Sequence, residues 1–225
     1  MPRYVTGPLP PSLDPALIAL LEQAETATIG HWRHWGFVDR RIAPLLPRRR
    51  VAGTAFTVMM PANDGTILAH ALDSLRPGDL LVIDRLGDDR HACIGGGLAV
   101  AAQAAGAVAA VVDGPCTDLE EIEEAGFPVW CRGLAPVTTQ ILDMGGQMNV
   151  PVSIGGVVVN PGDAVICDNS GVLVLPPGEA EAEARRAIET QAKGIATARR
   201  VAAGEARMGA LSGATARVLA GRDGG

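Results

Sequence analysis

Aromatic residues are scarce in this 225-residue chain: three Trp, three Phe and one Tyr make up 3%. The core must therefore come from Ala, Val, Leu and Ile, and a hydrophobic content of 48% allows a sizeable one. No CxxC pair occurs among Cys93, Cys116, Cys131 and Cys167. The chain is also far larger than disulfide-stapled mini-proteins, so reduced, buried thiols in a cytoplasmic protein are expected. The opening MPRYVTGPLPPSLDP has no apolar signal core. No run is apolar and long enough to cross a bilayer, because the stretch Leu98 to Val112 is broken by Gln103 and Gly106. Positive charge is also thin. Arg48-Arg49-Arg50 is the longest basic run, the others being pairs such as Arg199-Arg200, and the net charge is -6. Phosphate backbones need Lys and Arg to neutralise them, so no nucleic-acid partner is expected.

Glycine (28) and proline (16) are plentiful and imply many tight turns. Asp14 reads as an N-cap, with Pro15 in the first turn of a helix running to about Ala24. Val51 to Met60 reads as a strand, Gly65 to Leu75 as a helix opened by Asp64, and Leu80 to Asp84 as a short buried strand. Gly95-Gly96-Gly97 leads into a helix over Leu98 to Ala105, with Gly106 after it. A strand over Ala107 to Val112, a helix over Asp118 to Ala125 stopped by Gly126, and a strand over Phe127 to Cys131 follow. This alternation predicts parallel βαβ units. Val152 to Asn160, Ala164 to Cys167 and Val172 to Leu175 read as strands with short turns, hence antiparallel. A long helix from Glu179 to about Gly204 closes the chain, with a loose tail from Ser212. No linker or repeat divides residues 1–225, so one domain is expected.

Two features carry candidate chemistry. The glycine loop precedes a helix, so free N–H groups and the helix dipole would favour a carboxylate or phosphate. It does not complete G-x-G-x-x-G, and no Lys-Ser/Thr follows as in a Walker loop. A tight turn or close packing would also explain it. Asp118, after a buried strand, is either an N-cap or a site residue at the carboxyl edge of a parallel sheet. Consecutive βα units bring both features to one edge, where a carboxylate could hold a divalent cation against an acidic substrate. His31 and His34 could pair as H-x-x-H, and His91 and Cys93 could join Cys116 and Asp118 in a soft metal site. His70 reads as a packed or surface residue on its helix.

The stretch IGGGLAVAAQAAGAVAAVVDGPCTDLEEIEEAGFPVWCRG resembles the RraA-like family. ETATIGHWRHWG, VAGTAFTVMMPANDGTILAHAL, RPGDLLVID and NVPVSIGGVVVNPGDAVICDNSGVLVLP agree in order, so the resemblance covers roughly Glu25 to Glu205. The family includes class II pyruvate aldolases acting on 4-hydroxy-4-methyl-2-oxoglutarate and 4-carboxy-4-hydroxy-2-oxoadipate, and regulators of RNase E activity. The resemblance implies an α/β fold, an RraA-like α/β/α sandwich with a mixed sheet and a long C-terminal helix. It also implies a homotrimer or homohexamer with sites near subunit interfaces. In its aldolases a D-G-x-x-R-D signature supplies a metal-site aspartate and a substrate-binding arginine. Glycine-loop amides hold the pyruvoyl carboxylate, and Mg²⁺ or Mn²⁺ stabilises the enolate left by C–C cleavage.

Carried over, Asp118 matches the metal-site aspartate, and Gly95, Gly96, Gly97 and Leu98 match the carboxylate-binding loop. Asp113-Gly114 match the start of the signature. Four places depart from the pattern. Thr117 stands where the arginine belongs, Gly96 where Asp or Glu is usual, and Gly30-His31 where Ser-Asp is usual. Lys193-Gly194 falls where a glutamate is donated to the neighbouring subunit's metal. The expectation is a lyase for small 2-oxo carboxylic acids built on Asp118, Thr117 and the glycine loop. Two alternatives stand beside it: a rebuilt, metal-independent site using His31, His91 or Cys116 for acid–base chemistry, and a non-enzymatic regulator.

Overall fold

The computed structural model describes residues 2–221. Eleven strands and eight helices follow in chain order among them. The first are β1 (Tyr4–Thr6), α1 (Pro15–Leu21), α2 (Thr26–Ile29), β2 (Ala43–Pro44), β3 (Val51–Met59), α3 (Thr66–Leu72) and β4 (Asp79–Asp84). Then come α4 (Gly96–Ala104), β5 (Ala109–Val112), α5 (Leu119–Ala125), β6 (Val129–Cys131), β7 (Gly146–Met148), β8 (Val152–Ile154) and β9 (Val157–Val159). The last are β10 (Ala164–Asp168), β11 (Gly171–Leu175), α6 (Pro177–Ala202), α7 (Met208–Leu211) and α8 (Ala214–Ala220).

The fold is mixed α/β. β3, β4, β5 and β6 pair in parallel, as the strand–helix alternation predicts. β10 runs antiparallel to the first half of β3 and to β11, while β7 pairs antiparallel with the end of β3. All six residues of β4 are buried, as befits a central strand covered on both faces. Strand alternation splits the core in two. Phe56, Val58, Leu81, Ile83 and Val112 face the layer of α3, α4 and α5. Ala55, Leu80, Val82, Val111 and Trp130 face the opposite side, covered by the β8–β9 hairpin. A third cluster joins α1 and α6 to β10 and β11 through Leu21, Ile166, Leu173, Ala180 and Ala184.

Asp14 caps α1 through Ala16 N–H at 2.7 Å, but the helix stops at Leu21, three residues short of the expected end. Val152 to Asn160 is not one strand: Gly155 and Gly156, both at positive φ, fold it into a hairpin. Gly126 ends α5 in the left-handed conformation, as expected. The tail expected to be loose from Ser212 forms α8, and its last four residues, 222–225, lie outside the described residues. β1, β2, β7 and α2 have two to four residues each and carried no pattern. Among the described residues no helix is long and apolar enough to cross a membrane.

Candidate active site

β4 leads through residues 85–95 into α4, and β5 leads through 113–118 into α5, both at the carboxyl edge of the parallel strands. The Thr117 N–H donates to the Ile94 carbonyl at 2.9 Å and ties the two loops together. The Ala99 N–H bonds to Gly95 O at 2.9 Å and begins the α4 ladder. The N–H groups of Gly96, Gly97 and Leu98 precede it, at the positive end of the helix dipole. Gly97 is exposed, with open space where a side chain would stand. Unpaired N–H groups at a helix start favour an anion.

Asp118 occupies the N-cap position of α5 but makes no capping bond. A simple cap would bond N–H groups of its own helix. Asp118 instead sits in the left-handed region at φ 53°, a conformation costing roughly 1–2 kcal/mol for a residue with a Cβ. Its carboxylate turns toward α4. Oδ2 accepts a long bond from Gly96 N–H at 3.3 Å, and Oδ1 accepts the Thr117 hydroxyl at 3.1 Å. A Cβ at Gly95 would lie 2.3 Å from Asp118 Oδ2, and one at Gly96 would lie 2.0 Å from Glu121 Oε2. Two carboxylates of α5 therefore fill the space those glycines leave. Asp118, Glu121 and Gly97 are exposed, so the site is an open edge.

His91 flanks this edge on the loop before α4. Its Nδ1 lies 2.8 Å from Asp88 Oδ2, while Asp88 Oδ1 accepts the N–H groups of Arg90 and His91 at 2.9 and 2.8 Å. Burial pushes the Asp88 carboxyl up, but the bonds from His91 and Arg90 outweigh it and hold the carboxyl below its ordinary value. Asp88 is thus a fixed anion that orients the imidazole. On the neighbouring loop Arg132 pairs with Asp113, whose second oxygen accepts Gly155 N–H at 2.7 Å. Arg132 is held there, so it does not occupy the place of the absent arginine beside Asp118. Arg85 is fully buried against Gly114 and does not reach solvent.

Gly95 to Leu98, Thr117 and Asp118 come together, with His91 on the adjoining loop. His31 does not join them. It lines a cleft with Glu25, Gln191 and Lys193. α2 is bonded to Asp168, beside the start of β3 and so at the opposite end of the sheet. His34 lines a different cleft with Arg33 and Phe37, so H-x-x-H forms no pair. Cys93 and Cys116 turn into the core and not toward Asp118. His70 lies on α3 beside Tyr4 and Thr6. Among the described residues no three His, Cys, Asp or Glu side chains converge as a metal cage. A cleft of about 580 Å³ holds Arg48, Arg49 and Arg50, remote from Asp118; there Arg50 pairs with Glu25 at 3.1 Å. Sequence reasoning missed Glu121 and Asp88. Both carry a signal: Glu121 is three residues from Asp118 on one helical face, and Asp88 three before His91. Arg85 carried none.

Helix N-terminal amides and a strained carboxylate thus meet at the carboxyl edge of a parallel sheet, the place where open α/β sheets bind ligands. The RraA-like family model, described as Aldolase/RraA, matches residues 27–174, and the chain belongs to that family. A Halalkalibacterium halodurans protein provisionally named a 4-hydroxy-4-methyl-2-oxoglutarate aldolase is 35% identical over 151 residues, 67% of this chain and 71% of its own. The 4-hydroxy-4-methyl-2-oxoglutarate aldolase of Thermus thermophilus is 33% identical over 130 residues, 57% of this chain and 77% of its own. The structure of Streptomyces coelicolor RraAS2, described as an unusual member of the RNase ES inhibitor RraA family, superposes with a TM-score of 0.73. It is 27% identical and covers 85% of this chain and 98% of its own.

Proposed function

We propose that this chain is a carbon–carbon lyase that releases pyruvate from small 2-oxo carboxylic acids by retro-aldol cleavage or decarboxylation. The observation that carries this reading is the meeting of the α4 amides with Asp118 at one open edge. The Gly97 and Leu98 N–H groups seat the substrate carboxylate, which places the 2-oxo oxygen toward Asp118. Thr117 holds the second Asp118 oxygen and keeps the carboxylate facing the loop.

The donor set bears on a cation. One protomer offers Asp118, with Glu121 nearby, and no third ligand among the described residues. Such a set accommodates a hydrated Mg²⁺ or Mn²⁺ resting on one or two carboxylates, and not a protein-built cage. When bound there, the ion would polarise the 2-oxo group. The open edge, together with exposed Ile195, Met208 and Leu211 beyond the last buried residue of α6, is consistent with assembly into a homotrimer or homohexamer that completes the site.

The test is pyruvate release from oxaloacetate and from 4-hydroxy-4-methyl-2-oxoglutarate, with and without Mg²⁺ or Mn²⁺. Metal-stimulated release that Asp118→Asn abolishes supports the reading. No release from either acid at saturating metal would sink it. The Asp88–His91 pair favours a second reading, in which the oriented imidazole acts as a general base without metal. That reading requires turnover that survives chelation and is lost in His91→Ala.

A further inference from the structure

The cleft of about 580 Å³ that holds the arginine run opens at the end of the sheet away from Asp118. Its volume falls within the roughly 300–1,000 Å³ of small-molecule sites. Four segments meet there: the end of α1 with Glu22, the start of α2 with Glu25 and Ala27, residues 48–50 ahead of β3, and the β10–β11 turn with Asn169 and Ser170. Every lining side chain but Ala27 is polar or charged. The proposed chemistry uses none of them.

Hydrogen bonds fix the walls of this cleft. The buried Asp168 carboxylate accepts Thr26 N–H at 2.9 Å, the Thr26 hydroxyl at 2.7 Å and Ser170 N–H at 2.8 Å, and so joins α2 to the turn. Asn169 Oδ1 accepts Arg48 N–H at 3.0 Å and ties the turn to the arginine loop. Arg50 is engaged with Glu25 at 3.1 Å and with Gln23 O at 3.3 Å. Arg49 rests against Gly126 at the end of α5. Among the described residues the Arg48 and Arg49 guanidiniums, Asn169 Nδ2 and the Ser170 hydroxyl make no hydrogen bond or ion pair, and neither does the Glu22 carboxylate. The cleft thus holds two unanswered cations, two unanswered neutral donors and one unanswered carboxylate on a pinned frame.

A phosphate dianion suits the two guanidiniums and the neutral donors, because Arg meets phosphate through parallel, charge-assisted bonds. A bare phosphate does not suit the rest of the lining. Glu22 and Glu25 repel it and call for donors, which hydroxyl groups supply. We infer that this cleft binds a phosphorylated polyhydroxy compound, a sugar phosphate in class. Its phosphate sits at Arg48, Arg49, Asn169 and Ser170, and its hydroxyls donate to Glu22 and Glu25. The net charge of -6 repels anions at large, so affinity depends on the local arginines and falls with salt.

Isothermal titration calorimetry of the folded full chain at low ionic strength tests this, with glucose 6-phosphate, ribose 5-phosphate, inorganic phosphate and glucose as probes. The expected result is one saturable site per chain for a sugar phosphate, weaker binding of inorganic phosphate and none of glucose. Arg48→Ala combined with Arg49→Ala weakens the sugar phosphate by roughly tenfold or more. Glu22→Ala weakens the sugar phosphate but not inorganic phosphate, which loses a repelling neighbour. Arg199→Ala combined with Arg200→Ala, near the end of α6, leaves the sugar phosphate affinity unchanged, and so does Asp118→Asn. All these side chains are exposed, and circular dichroism melts establish that each variant is folded. No saturable binding of either sugar phosphate overturns the assignment. So does an equal loss in the Arg199 and Arg200 variant, or inorganic phosphate bound as tightly as the sugar phosphates.

Discussion

Asp118 is strained at φ 53°, exposed, and aimed at the preceding helix, α4, instead of its own. Strain held at an exposed carboxylate is expected where positioning matters more than stability. Asp118→Asn is therefore predicted to leave the melting temperature nearly unchanged and to lower pyruvate release by about a hundredfold or more, in line with the loss of a preorganised electrostatic group. Gly95→Ala places a methyl 2.3 Å from Asp118 Oδ2 and must push the carboxylate aside, so a similar loss is expected without change of charge. Thr117 is half-buried beside Asp118. Thr117→Arg would add charge-assisted bonds worth about 1.5–3 kcal/mol each to a substrate carboxylate. Steady-state kinetics should show kcat/KM for oxaloacetate rising by roughly tenfold or more; an unchanged value would mean that the site no longer engages that group. At this scale the sequence was informative about Gly95 to Leu98 and Asp118, because glycine runs and acids at helix starts leave marks. It was silent on Arg85, whose burial follows from tertiary packing alone.

Among the elements, two polar clamps hold parts that propensity does not. Arg33, 3% exposed, bonds Glu179 at 2.6 Å and Glu183 at 3.1 Å, while Trp32 Nε1 donates to Glu183 at 2.7 Å. These contacts fasten α6 to the segment after α2. Arg33→Ala leaves the half-buried Glu183 without its cation and is predicted to cost about 2 kcal/mol in denaturant unfolding, less than a fully buried pair because Glu179 is solvated. Asp64 is the second clamp. Its carboxylate accepts N–H groups of Thr66, Leu142 and Met144 at 2.9, 3.0 and 2.7 Å. Burial raises its carboxyl, but these bonds and the Thr66 hydroxyl outweigh it and lower the folded value. The folded value lies below the unfolded one of about 4. The stabilisation is therefore complete above that pH and lost as pH falls through the lowered folded value. Asp64→Asn should cost about 2–4 kcal/mol at pH 7, and the gap to the unaltered chain should close below about pH 4. A constant gap across the titration would contradict this. The parallel core was legible because β3, β4 and β5 are apolar runs separated by helical lengths. β1 and β7 were not, since a three-residue strand has no period and exists only because its partners are already in place.

At the scale of the whole molecule, groups that favour negative charge lie at two separate ends. At one end, backbone amides of α4 face the carboxylates of Asp118 and Glu121; at the other, Arg48, Arg49 and Arg50 line a separate cleft. The proposed chemistry requires the substrate acid at the first end. A crystal grown with Mg²⁺ and oxalate, a planar mimic of the pyruvate enolate, decides this directly. The account predicts oxalate against the Gly97 and Leu98 N–H groups, with a hydrated cation between it and Asp118. Oxalate seated only among Arg48, Arg49 and Arg50, with the α4 amides bare, would contradict it.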